Sequence, residues 1–181
     1  MPNIIMILFM LLVPIIAHNS GDAVPIGQGI SLQLPPPEAF VQEIESAQRI
    51  VLSWQGKKYA LEGQLKISPQ QLLLVLLDPL GRRMLTIHWD GKTIQEERAD
   101  WLPPEVRSNT ILAQIMLVHA PLPTLVQNLR GGTLTENNKL RILSTADHEL
   151  ITVQYQKDPW SGTIHLHHHA LNYEIALEIA N

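Results

Sequence analysis

Three histidines at alternate positions, His165, His167 and His169, are the residues best spaced to do chemistry in this chain. Alternate residues of a strand share one face, and neutral imidazoles suit zinc, copper or nickel. A metal site, however, wants ligands that converge from several elements, with carboxylates or carbonyls behind them. Along one strand the three rings stand about 7 Å apart at each step, too far to share one ion without distortion. They are read as a solvent-facing strand surface, and no metal is assigned. Nucleophilic catalysis has no better support. The chain has no cysteine, which removes disulfides, thiolate metal sites and a thiol nucleophile together. No Gly-x-Ser-x-Gly occurs, and Asp147-His148 reads as a turn. The acidic pairs Glu43/Glu45 and Glu96/Glu97 read as solvated faces, and Gly131-Gly132 as a helix exit instead of a phosphate cradle. Arg82-Arg83, just after a turn, carries the charge to meet an anionic headgroup or to face solvent. No cofactor is expected, and the chain is not read as an enzyme.

Composition points to apolar surface as the working material. At 181 residues the chain supports one domain plus a targeting segment. Charged residues make up 17%, net charge is -4, and the lysines and arginines are scattered, so nucleic acid is not an expected partner. Leu72–Leu77 is apolar at every position, and Ile111–Val118 is apolar except for Gln114. A strand with one wet face alternates, so Leu72–Leu77 predicts a strand covered on both faces. Ile111–Val118 is too broadly apolar for a helix with one wet side. Two arrangements fit this excess equally: a solid core between sheet and helices, or a cavity under a helical lid in which an apolar ligand replaces part of the core. In the second, the lining residues would be Leu72, Leu74, Leu76, Met84, Ile111, Ile115, Met116, Leu125 and Leu129, with Arg82 and Arg83 as a weaker headgroup pair. Met84 and Met116 would adapt to variable lipid shape.

The elements that must position these residues follow from periodicity. Residues 2–17 are almost wholly apolar, with the uninterrupted run Ile4–Val13 about the length of a signal h-region and short of the roughly 20 residues of a spanning helix. Residues 1–17 are expected as a cleaved export signal or an uncleaved anchor, and 18–37, rich in Gly and Pro, as a linker or extended arm. The domain is expected over 38–181, opening with a short helix at Glu38–Glu45. Strands are expected at Arg49–Trp54, Lys58–Ile67, Leu72–Leu77, Met84–Trp89 and Lys92–Glu97. The last two are joined by an Asp90-Gly91 hairpin signal. Gly63, on the inward face, permits bending or the close approach of a neighbour. A helix from Pro104 or Glu105 and a second with Leu122, Leu125, Val126 and Leu129 on one face come next. Strands resume at Lys139–Ser144, Leu150–Gln156, Gly162–His168 and Tyr173–Ile179. The sum is about nine strands with a helical pair after the fifth. The expected fold is mainly β: a curved antiparallel sheet or half-open barrel closed by two short helices.

The order GQLKIS, LLLVLLDPLGRRMLTIHWDGKTI, WLPPE, ILAQIMLVHAPLPTLVQNL and the terminal ALNYEIALEI resembles a family of uncharacterised bacterial envelope lipoproteins often encoded beside aryl-polyene pigment genes. The resemblance covers roughly Arg49 to Ile179. That family is similar in architecture to the periplasmic lipoprotein carrier and its outer-membrane receptor (LolA/LolB-like), half-open barrels whose concave face holds acyl chains. The resemblance implies a non-enzymatic envelope carrier or acceptor for an acylated lipid, lipoprotein or polyene lipid. It would work with the envelope membrane or a membrane-bound partner protein, possessing a periplasmic or outer-membrane location. Family members usually carry a lipobox cysteine after the signal, and IIAHNSGDA has none. A soluble periplasmic form or an uncleaved N-terminal anchor is therefore expected. The alternative is a structural envelope protein with a solid core that supports a biosynthetic complex. An accessory hydrolase or isomerase would need a buried, pKa-shifted carboxylate or histidine inside a cavity.

Overall fold

Alternation of polar and apolar side chains runs through most of the chain, and the backbone is correspondingly extended. The computed structural model describes residues 23–27 and 29–180, so the expected signal or anchor at 1–17 lies outside the described residues. In chain order the elements are β1 (Val24–Gly27), β2 (Ile30–Leu32), β3 (Ile44–Trp54), β4 (Lys57–Ser68), β5 (Gln71–Leu77), β6 (Arg83–Trp89) and β7 (Ile94–Arg98). Helices α1 (Ser108–His119) and α2 (Leu122–Asn128) follow. The chain then continues through β8 (Leu129–Arg130), β9 (Thr133–Asn137), β10 (Leu140–Ser144), β11 (Glu149–Tyr155), β12 (Gly162–His168) and β13 (Tyr173–Ile179). Ten strands form one antiparallel sheet in the order β7-β6-β5-β4-β3-β13-β12-β11-β10-β9. It runs outward from β3 to β7, leaves through the helices, and comes back from β9 to β13, which closes onto β3. The sheet is curved and not closed into a barrel, as the sequence led one to expect of a mainly β fold.

Register fixes which face is which. Leu65 of β4 stands opposite Leu74 of β5, which stands opposite Ile87 of β6, and all three are buried. On the other side, Ile50 of β3 stands between Leu61 and Leu177. A side chain on Gly63 would meet Ile50 Cδ1 at 3.0 Å, so the glycine lets an isoleucine cross the concave face. Helix α1 packs against β1 and β7 while it also faces the concave side of the large sheet. Ile111, Leu112, Ala113, Met116, Leu117 and Val118 are all buried there, which is why the run is apolar almost all round.

Several expectations are corrected. The stretch 18–37 is no linker from Val24 onward: Val24, Ile26, Ile30, Leu32 and Leu34 are buried, and β1, β2 and β8 make a small second sheet. Pro25 and Gly27 lie within β1 itself, and strands of four and three residues are too short for a visible alternation. Glu38–Glu45 is not a helix. A single 3-10 turn, Pro37–Ala39, gives way to β3, because Ile44, Ser46 and Gln48 already fit the inward period of that strand. Helix α1 begins at Ser108, not at Pro104 or Glu105, since the Val106 amide turns back to the Pro103 carbonyl. Ile94 opposite Trp89 makes the Asp90-Gly91 connection four residues long, with Asp90 Oδ1 accepting from the amides of Lys92 and Thr93.

Leu129 leaves the α2 face to start β8, which pairs with β2. Gly131-Gly132 is therefore not a helix exit but the β8–β9 turn. Gly131 has φ 81°, and a Cβ there would lie 1.9 Å from the Gly29 carbonyl oxygen, so the small sheet closes only around a bare backbone. Strands β1, β2, β8 and β9 take the count past nine. Leu72–Leu77 is not covered on both faces either. Leu72, Leu74 and Leu76 are buried, whereas Leu73, Val75 and Leu77 are half-buried on the opposite face, where Lys66 and His88 stand beside Leu73 and Gln64 and Thr86 beside Val75.

Candidate functional site

Between α1 and the concave face lies a cavity of about 90 Å³ with an almost wholly apolar wall. Strands β3, β4, β5, β12 and β13 supply its floor through Ile50, Leu52, Leu61, Leu74, Leu76, Leu166, Ile175 and Leu177. Helix α1 supplies its roof through Ile111, Gln114, Ile115, Val118 and His119. The inward period of each strand and the one-turn spacing of Ile111, Ile115 and Val118 put these side chains opposite one another. Pockets for drug-sized ligands measure roughly 300–1,000 Å³, so the space as it stands is several times smaller than one.

The roof is fastened at both ends. Near its start, Ser108 Oγ donates to Glu96 Oε2 at 2.5 Å on β7. Arg98 Nη2 donates to the carbonyls of Pro103 and Val106 at 2.8 and 3.3 Å. At its far end, Arg141 Nη1 donates to the Leu117 carbonyl at 2.7 Å, and Tyr155 Oη donates to the Val118 carbonyl at 2.6 Å. These donors meet carbonyls in the last turn, where a helix lacks its own partners and carries partial negative charge. Arg141 is 3% exposed and is neutralised by Glu136, whose Oε2 lies 2.6 Å from Nη2. Burial pushes the Tyr155 hydroxyl up to about 12. Thus α1 bridges the trough from the β7 edge to β10 and β11.

Four polar residues interrupt the apolar wall. Gln48 on β3 is buried and donates to Ser46 Oγ at 3.1 Å. Gln114 Nε2 donates to Tyr173 Oη at 2.8 Å across the cavity, from helix to sheet. Burial pushes the Tyr173 hydroxyl well above the usual phenol range. His119 stacks on Trp160 with ring centroids 4.2 Å apart, and its Nδ1 donates to the Pro159 carbonyl at 2.6 Å. Burial pulls its pKa down to about 4, reinforced by the charge of Arg141 and opposed by the bond to Pro159. This is the buried, shifted histidine that an accessory hydrolase or isomerase would need, but the lining residues beside it include no serine and no carboxylate for it to work with. No Asp, Glu, Lys or Arg is among the lining residues. Such a lining suits an apolar group and offers a few neutral hydrogen-bonding atoms.

Of the residues singled out by sequence, Leu74, Leu76, Ile111 and Ile115 meet at this cavity. Leu72, Met84, Met116 and Leu125 are buried in the surrounding core and do not line it, while Leu129 sits half-buried in the small sheet. Arg82 is drawn into its own turn, with Nη2 2.6 Å from Asp78 Oδ2 and its guanidinium 5.2 Å from the Trp101 ring centroid. Arg83 pairs with Glu97 at 3.3 Å on the surface. Neither arginine lines the cavity. Gln48, Gln114 and Tyr173 line the cavity without being expected there, although Gln114 stands out in the sequence as the one polar residue inside Ile111–Val118. Among the histidines, His165 Nδ1 lies 2.6 Å from Glu174 Oε1, and the rings of His167 and His169 lie 4.2 Å apart on the outer surface. His168 instead points inward and is buried.

Among the described residues no helix is long and apolar enough to cross a membrane. A family described as "Protein of unknown function (DUF3261)" matches residues 45–181. No curated protein matches the chain.

Proposed function

The chain belongs to the DUF3261 family, and on the geometry of its cavity we propose that it is a non-enzymatic carrier or acceptor for an acylated lipid, lipoprotein or polyene lipid in a bacterial cell envelope. One observation carries the reading: an apolar cavity lies beneath a helix that is tied down at its two ends, with the single bond from Gln114 to Tyr173 crossing the space between. The resemblance to envelope lipoproteins with a LolA/LolB-like half-barrel supports it, as does the apolar run at 2–17, which suits export to the periplasm. In this mechanism α1 lifts, an acyl or polyene chain enters against Leu74, Leu76 and Leu177, and a membrane-bound partner later removes it. Each buried methylene contributes about 0.8 kcal/mol, so a chain of several carbons binds firmly and still exchanges. An aryl-polyene lipid bound for the outer membrane is the ligand that the resemblance favours.

A second reading is a structural envelope protein with a solid core, and the complete burial of Leu72, Met116 and Leu125 speaks for it. Native mass spectrometry of the full chain, exported in a bacterium and extracted with organic solvent, separates the two. The carrier reading expects a co-purifying lipid or polyene that is lost in Ile115→Glu while the circular dichroism spectrum stays native. A clean unliganded mass, with no uptake of offered fluorescent acyl probes, overturns it in favour of the solid core.

A further inference from the structure

The polar atoms of the cavity are arranged in a way that a plain hydrocarbon container does not require. Tyr173 is 4% exposed, lines the cavity, and its oxygen accepts from Gln114 Nε2 at 2.8 Å. A phenol has one proton to donate as well as lone pairs to accept with. Having accepted from Gln114, Tyr173 keeps its own proton, and no acceptor for it lies within hydrogen-bond distance among the described residues. With the Gln114 amide turned over, the tyrosine donates and both amide protons of Gln114 are left free instead. Either way the pair holds an unused donor; Tyr173 is buried and Gln114 half-buried, so leaving the bond unmade is costliest on the tyrosine.

Charge is absent from the same wall. His119, the lining group that titrates in the physiological range elsewhere, has its Nδ1 proton engaged by the Pro159 carbonyl. Arg141 lies nearby, but its guanidinium is taken up by Glu136 and by the carbonyls of Leu117 and Val118. A buried carboxylate would find no counter-ion here, and an unpaired buried charge costs far more than one neutral hydrogen bond returns.

Building on the carrier reading, we propose that the cavity selects an apolar chain carrying an uncharged hydrogen-bond acceptor, such as an ester or amide carbonyl, and rejects a free carboxylate, with Tyr173 and Gln114 as the specificity-determining pair. The acceptor sits on the free donor of the pair while the chain lies along Leu74, Leu76 and Ile175. The ligand class is thus an esterified or amidated acyl or polyene chain, as in a membrane lipid, and not a free fatty acid.

Three fluorescent probes test this on the full chain at pH 8: methyl parinarate, free parinarate and diphenylhexatriene, which has no polar atom. Methyl parinarate is expected to bind at least about tenfold tighter than the free acid. Tyr173→Phe is expected to weaken the ester by about tenfold and to leave diphenylhexatriene unchanged. Gln114→Leu, on the helix, gives the same comparison if the tyrosine variant does not fold. Equal binding of ester and acid overturns the selectivity and leaves the carrier standing. So does an equal loss of ester and hydrocarbon in both variants. Failure of all three probes to bind overturns the carrier reading, and this inference falls with it.

Discussion

Arg141 on β10 holds the far end of α1, its Nη1 2.7 Å from the Leu117 carbonyl and its Nη2 2.6 Å from Glu136. One guanidinium therefore joins the roof of the cavity to the edge hairpin of β9 and β10, and Tyr155 stands under it with its ring centroid 5.8 Å away. The planar fork suits arginine, whose rigid, widely spread donors reach Glu136 and the helix carbonyl together, whereas a lysine would bring one compact, more strongly hydrated ammonium.

Replacing that residue as Arg141→Met removes the fork and leaves Glu136 and the Leu117 carbonyl without their donor, while the Val118 carbonyl keeps Tyr155. Glu136 is one-third exposed and regains water, so the loss is set near the lower end for a broken buried pair, about 3 kcal/mol. The thermal midpoint should fall by about 6–12 °C. Amides at residues 116–120 should exchange with deuterium much faster than those of β4. Unchanged exchange there would show that α1 is held by packing alone.

Acid should weaken the fold through His119. Its folded pKa is depressed to about 4 by burial, against an ordinary value of 6.5. Between those values the unfolded chain takes up a proton that the folded chain does not, so stability is full above pH 6.5 and declines as pH falls toward 4. His168, pulled down to about 4 chiefly by its own burial, adds in the same direction and window. Denaturant titrations at pH 7 and pH 4.5 should differ by about 3 kcal/mol or more, and His119→Gln should remove a large part of the difference. An equal pH dependence in that variant would place the effect elsewhere.

Tyr59 offers the reverse case. Its hydroxyl is buried with no hydrogen-bond partner, and its neighbours Leu52 and Leu61 line the cavity. Tyr59→Phe removes an unsatisfied polar atom and keeps the ring, so stability should hold or rise by up to about 1 kcal/mol. Urea unfolding measures it. A loss of more than about 1 kcal/mol would mean that the hydroxyl has a partner, such as water.

Legibility in the sequence followed the length and burial of each element. Tyr59, Leu61, Leu65 and Ile67 alternate with charged or polar residues over a long strand buried on one side, so β4 could be read directly. Val24–Gly27 and Ile30–Leu32 are too short for a period, and their burial comes from β8 and α1, more than seventy residues away. Thr133–Asn137 is an edge strand with one buried residue, Leu134, and its polar face hides it. The leucines of β5 look alike in sequence. Only the pairing of Leu74 with Leu65 decides that Leu74 and Leu76 face inward and Leu73 and Val75 do not. Gln114 and Tyr173 lie 59 positions apart, so no local pattern could have joined them.

The free edges of the large sheet carry a mechanical meaning. A closed barrel has its girth fixed by strand number and shear, and widening it means breaking a seam. Here β7 and β9 are not joined to each other, and the short strands there, with Glu96, Glu97 and Glu136 on them, discourage pairing with another chain. Such a sheet bends like a leaf spring: it can flatten or tighten with every ladder bond intact. On the carrier reading proposed above, its radius would follow what fills the trough, within the limits set by the fastenings of the helix, so one protein could grip contents of different thickness.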